Sequence, residues 1–144
     1  MRLDKSILIR AAPEQVFAWL APHRQPSWDR SLVRATPLAE GRFDRVGRAL
    51  GHRFESHARA TAVEEARRFA WQQVDGDYEE HRGMFLLEPG PGGSTWLHLV
   101  ADVELPYVMP EVVEESRLRR ALSESADDAL LALKDLVERG RAAR

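Results

Sequence analysis

The stretch LRRALSESADDALLALKDLV, residues 118–137, decides how the rest of the chain must fold. Leu118, Leu122, Ala126, Ala129, Leu130, Leu133, Leu136 and Val137 recur every three or four residues, the spacing of one face of an α-helix. The pattern predicts a long helix from about Glu111 to Arg139, entered through a loop bracketed by Pro106 and Pro110. Gly140 is placed to stop it, because glycine adopts the left-handed backbone that ends many helices. The stripe is broad and partly alanine, so the helix should lie close against a large apolar surface.

The upstream sequence offers that surface as a sheet. LDKSILIR, residues 3–10, alternates Leu3, Lys5, Ile7 and Ile9 with Asp4, Ser6, Leu8 and Arg10, and reads as a first strand. APEQVFAWLA, residues 12–21, reads as a short helix. Pro13 suits its first position, Glu14 its positive end, and Val16, Phe17 and Leu20 share a face before Pro22 stops it. HRQPSWDRS, residues 23–31, is turn-rich, with room for one more helical turn near Trp28. From Leu32 to Leu105 only strand-like segments and turns follow. SLVRATPL is one strand, and a short one is expected from Val46 to Leu50. FESHARATAVEE (54–65) and RRFAWQQV (67–74) come next, the latter closed by the turn DGD. YEEHRGMFLLE (78–88) is closed by PGPGG, and STWLHLVADVEL (94–105) ends the series.

The expected order is strand, one or two short helices, five or six consecutive antiparallel strands, then one long helix: an α+β chain of one domain, residues 1–144. A meander of that length must cover its apolar face, and only the C-terminal helix is long enough to do so. A wide twisted sheet cannot be filled end to end by one helix, so a cavity between sheet and helix is expected, and such a cavity is a ligand site.

Composition narrows the function. The formal charge is −2 with signs mixed along the chain, which argues against the basic stripe of a nucleic-acid binder. There are no cysteines, so disulfides and thiolate metal sites are excluded. The apolar run near the N-terminus is too short for a signal peptide core or a membrane span, and a cytoplasmic protein is the expectation. No Gly-rich phosphate loop, Ser/His/Asp arrangement or cofactor fingerprint is present, and no set of His and carboxylates reads as a metal site; neither metal nor cofactor is expected.

Several segments resemble a known family. APEQVFAWLAPHRQPSWDRSLV, ATAVEEARRFAWQQ and MFLLEPGPGGSTWLHLVADVEL, with the terminal Leu/Ala helix, resemble the START/Bet v 1-like (SRPBCC) superfamily, especially its polyketide cyclase/dehydrase branch. The resemblance covers nearly the whole chain. It implies a helix-grip fold: a six- to seven-stranded antiparallel sheet wrapped around the C-terminal helix, with two short helices after the first strand. It is specific for the fold and not for an activity, because carriers, cyclases, receptors and co-chaperones share this scaffold.

The resemblance also implies which side chains look inward. Leu97, Leu99, Ala101, Val103 and Leu105 should do so on the last strand, His81, Gly83, Phe85 and Leu87 on the one before, and Phe69, Trp71 and Gln73 on RRFAWQQV. In FESHARATAVEE the family's inward position is Val63. Unless a β-bulge intervenes, alternation then turns Thr61, Arg59, His57 and Glu55 inward, with the small residues Ser56, Ala58 and Ala60 outside. An inward Arg59 would need an acceptor such as Glu55 or Glu79.

Three functions fit these expectations. The first is a binding or carrier protein for a small, largely apolar, ring-containing or lipid- or polyketide-like molecule. Its contacts would come from Trp28, Trp71, Gln73, Phe85, Leu99 and Leu130, with Tyr107 and Met109 at the mouth. The second is a cyclase/dehydratase in which Arg59 polarises a carbonyl and His57 or His81 moves the proton. The third is a protein-interaction module whose cavity is vestigial. Convergent polar groups would favour the enzyme, an apolar tunnel the carrier, and a cavity filled by Trp71, Phe85 and Leu130 the module. The face carrying Trp96, His98, Val100, Met84 and Leu86 is open to two readings, a homodimer surface or ordinary exposed apolar area.

Overall fold

Seven stretches of alternating apolar and polar residues form one antiparallel sheet. In a computed structural model that describes residues 1–104 and 114–142, the strands are β1 (Arg2–Ile9), β2 (Leu32–Pro37), β3 (Arg42–Ala49), β4 (His52–Glu64), β5 (Arg68–Gly76), β6 (Glu80–Pro89) and β7 (Thr95–Glu104). Their spatial order is β1-β7-β6-β5-β4-β3-β2. Strands β2 to β7 follow one another as a meander, and β1 closes on β7, with Arg2 opposite Asp102 and Ile9 opposite Thr95. The third strand begins at Arg42 and is longer than the Val46–Leu50 segment expected. It ends where Leu50 and Gly51 take φ of 49° and 78°, the left-handed pair of a tight hairpin.

Between β1 and β2 lie helix α1 (Pro13–Ala18) and a 3-10 turn, Pro22–Ser27. Pro13 opens α1 where its missing N–H costs nothing, and the Gln15 side chain returns to accept from the Ala12 amide at 3.3 Å. Val16 and Leu20 are fully buried. The buried Gln25 donates to the Leu20 carbonyl, and Trp28 Nε1 donates to the Trp19 carbonyl at 2.8 Å. Those two bonds fix Trp28 edge-on against Phe85, ring centroids 6.0 Å apart.

Helix α2 (Glu115–Ala142) lies across the concave face. Leu118, Ala129, Leu130, Leu133 and Val137 are buried, while Leu131 on the opposite face is 59% exposed. Two lysines tie it to β1: Lys5 pairs with Asp127 at 3.0 Å, and Lys134 donates to the Leu8 carbonyl at 2.7 Å. The helix is described from Glu115, and the expected start near Glu111 lies outside the described residues. It also runs through Gly140, which keeps right-handed backbone and does not stop it. No helix among the described residues is long and apolar enough to cross a membrane.

The core is in two parts. The larger gathers Phe43, Phe69, Trp71, Phe85, Leu97 and Leu99 around Leu130, Leu133 and Val137. The smaller joins Ala49, Phe54 and Leu118, with Tyr78 and Leu122 packed beside them. Gly83 lets the larger part close. A Cβ there would come within 2.5 Å of the Trp71 ring, so the indole's benzo edge occupies the space above the bare backbone of β6.

Strand β4 corrects the expected facing. Phe54, Ser56 and Ala58 are buried at 4%, 4% and 3%, whereas Glu55, His57, Arg59 and Thr61 are exposed. The cause is a β-bulge. Ala60 pairs with Trp71 and Ala62 with Ala70, which leaves Thr61 as an extra residue on β4. Val63 does sit opposite the inward-facing Phe69, although it is 61% exposed, but one extra residue reverses every position before it. The small side chains therefore face the interior. They lie between Phe43 and Arg45 on β3 and Trp71 on β5, and their size makes room for those larger groups.

Candidate functional site

A cavity separates the two parts of the core. Its volume is about 130 Å³, roughly ten times what one water molecule needs on the same measure. Alternation along each strand supplies its walls. Arg45 and Gly47 come from β3, Phe54 and Ser56 from β4, Trp71 from β5, His81 and Phe85 from β6, and Leu99, Ala101 and Val103 from β7. Helix α2 contributes Leu122, Ser125, Ala126, Ala129 and Leu130. Trp28, Asp29 and Tyr78 join the lining from the connections.

The expected ligand contacts divide. Trp28, Trp71, Phe85, Leu99 and Leu130 all line the cavity, as does His81. Gln73 does not line it: its amide accepts from Ser56 Oγ at 2.9 Å and donates to the Tyr78 carbonyl at 2.8 Å, bracing the wall from behind. Tyr107 and Met109 lie outside the described residues. His57 and Arg59 are on the other side of the sheet, so neither reaches the cavity. His57 is hydrogen-bonded to Asp44, which raises its proton affinity, and Asp75 lies 3.7 Å away. Glu55 pairs with Arg53 at 3.0 Å and not with Arg59. Among the described residues no cluster of three or more His, Asp or Glu is arranged to hold a metal ion.

The polar end of the cavity joins the expected His81 to two groups that sequence reading passed over, Arg45 and Tyr78. Arg45 stands opposite Ser56 and lays its guanidinium over the Trp71 ring, 5.7 Å from the centroid. Tyr78 stacks on Phe54 at 5.0 Å, and its ring centre is 4.9 Å from that of His81. His81 in turn meets the edge of Trp71 at 6.2 Å. Burial sets the protonation of these groups. It pushes the His81 pKa down to about 3, with help from the Arg45 charge, and the Tyr78 pKa up to about 12. At neutral pH the cluster is a guanidinium, a phenol and an uncharged imidazole.

Most other polar groups at this end are already satisfied. Asp29 accepts from the Ser31 amide at 3.0 Å and its hydroxyl at 2.6 Å, Gln25 is bonded to Leu20, and Ser56 to Gln73. Arg45 differs. Among the described residues it has no hydrogen-bond acceptor and no carboxylate within ion-pair reach, and its Nε is buried without a partner. The signal that could have found it was alternation: Phe43 is a natural core residue, and Arg45 and Gly47 share its face. Placing the strand only from Val46 hid that relation.

Comparison with known proteins agrees with this architecture. The family model described as polyketide cyclase/dehydrase and lipid transport matches residues 1–138. None of the curated proteins matches the chain. Among solved structures, TTHA0849 from Thermus thermophilus superposes with a TM-score of 0.84 at 16% identity, covering 97% of this chain and 99% of that one. A START superfamily protein from Mycobacterium smegmatis gives 0.81 at 17% identity, over 96% and 97% of the two chains. The Zhui aromatase/cyclase from Streptomyces sp. R1128 gives 0.79 at 15%, over 96% and 94%. At these identities the likeness is one of fold.

Proposed function

Because the chain belongs to the polyketide cyclase/dehydrase and lipid transport family, we propose that it binds a small, largely apolar, ring-containing molecule in the cavity between the sheet and α2. The observation that carries this reading is the aromatic wall. Trp71 and Phe85 lie 5.3 Å apart at 40°, and Trp28 meets Phe85 edge-on, so flat apolar faces from three elements surround one space. Such faces offer a planar guest both area and ring-to-ring contact. Trp71, Phe85 and Leu130 line the space rather than fill it, which favours a ligand over a vestigial cavity.

A cyclase/dehydratase reading has less support. Of His57, Arg59 and His81, only His81 reaches the cavity. With a pKa near 3 it is a weak base at neutral pH. The test is direct. A neutral environment-sensitive dye such as Nile red should bind with enhanced emission and quench tryptophan fluorescence, and Trp71→Phe should reduce that quench. Absence of dye binding to the folded protein would overturn the reading.

A further inference from the structure

Building on the cavity reading, we propose that the ligand is an organic acid bound as its anion, with its apolar ring against Trp71 and Phe85 and its charged oxygens on the guanidinium of Arg45. Three observations lead there. First, the cavity holds a cation that makes no ion pair among the described residues: the nearby Asp29 favours its charge from a distance but accepts from Ser31 through Oδ1. A desolvated, unpaired guanidinium is costly, and an anion supplies what is missing. Secondly, two of the side chains beside it are donors. Tyr78 offers a phenol O–H and His81 one N–H of a neutral ring, and neither competes as a cation. Thirdly, Arg45 is held over Trp71, so its fork is oriented before any ligand arrives, the arrangement that suits a planar acceptor with two oxygens. A neutral carbonyl would use these donors but leave the guanidinium without an ion-pair partner. A carboxylate and an acidic enol or phenol share the chemistry that balances it.

Matched probes test this. 2-Naphthoate and 2-naphthamide have nearly the same shape and differ in charge, and decanoate carries the same charge on a chain instead of a ring. Calorimetric titration of the whole protein at pH 7 should give 2-naphthoate an affinity at least about tenfold above 2-naphthamide, as a charge-assisted bond implies. Arg45→Met should abolish that preference while the amide still binds, with folding checked by circular dichroism. If that variant does not fold, Arg45→Gln replaces it. Equal affinity of acid and amide, or a preference that survives loss of Arg45, would overturn the inference and leave the apolar cavity reading standing. Failure of all three probes to bind would overturn both. Decanoate binding as tightly as naphthoate would keep the anion and refute the ring, and a phenol of pKa below 7 that binds like naphthoate would place an acidic enol or phenol alongside the carboxylates.

Discussion

At the scale of single residues, position relative to the sheet decides chemistry. His57 and His81 are the same residue type two strands apart in one sheet, yet they behave oppositely. His57 sits outside with Asp44 and gains proton affinity, whereas His81 sits inside beside Arg45 and loses it. The His81 shift carries a prediction. An unfolded chain protonates this imidazole near its ordinary value of 6.5, but the folded protein does so only near 3. Stability is therefore undiminished above 6.5 and falls as pH drops below it, by up to about 1.4 kcal/mol per pH unit while the difference lasts. His81→Phe should flatten this decline between pH 6.5 and 5 in urea titrations, with His57 contributing equally to both proteins. Parallel curves for the two would mean that His81 titrates like an exposed histidine. Sequence alone located His81 on the inner face but not Arg45 or Tyr78. Their importance comes from burial and from one another, neither of which is a local property.

Among elements, α2 and β4 mark the range of what a sequence discloses. The stripe from Leu118 to Val137 is a strong periodic signal, and the helix observed carries it on its buried face. The hairpins around DGD and PGPGG were equally visible. Strand β4 was not, because its face depends on the single extra residue at Thr61, and alternation has no memory across a bulge. Along α2 the same chemistry should cost different amounts at different depths. Leu133 is fully buried away from the cavity, while Leu130 is buried yet lines it. Leu133→Ala should lose about 2–5 kcal/mol. Leu130→Ala should lose measurably less, because its contacts are already missing on the cavity side. Chemical denaturation of the two variants compares them, and a larger loss at Leu130 would indicate that the cavity is packed shut there.

In the molecule as a whole, α2 joins both parts of the core from one side, as β3 and β4 do from the other. Leu118 closes one, Leu130, Leu133 and Val137 close the other, and the cavity lies between. The antiparallel meander has no second layer without it. A chain ending at residue 114 should therefore show no cooperative thermal transition by circular dichroism, and a sharp one would mean that the sheet is stable on its own. The seven-stranded, helix-covered plan was readable in advance because each hairpin is local and the helix stripe demands a partner. The closure of β1 on β7 follows from no local pattern.

That closure has a consequence for the chain as it is made. Ile9 finds its partner only at Thr95, and Arg2 only at Asp102. At translation speeds of about 5–20 residues per second, β1 waits on the order of 5–20 s outside the ribosome before β7 exists. During that interval Ile7 and Ile9 are uncovered next to an unpaired backbone, the combination that nascent chains most need to shield. The polar residues Arg2, Asp4, Lys5 and Ser6 are spaced through the same strand. In the finished protein Arg2 and Asp4 face water while Lys5 and Ser6 bond to Asp127 and His98, but in the growing chain all four work against association of β1 until β7 arrives.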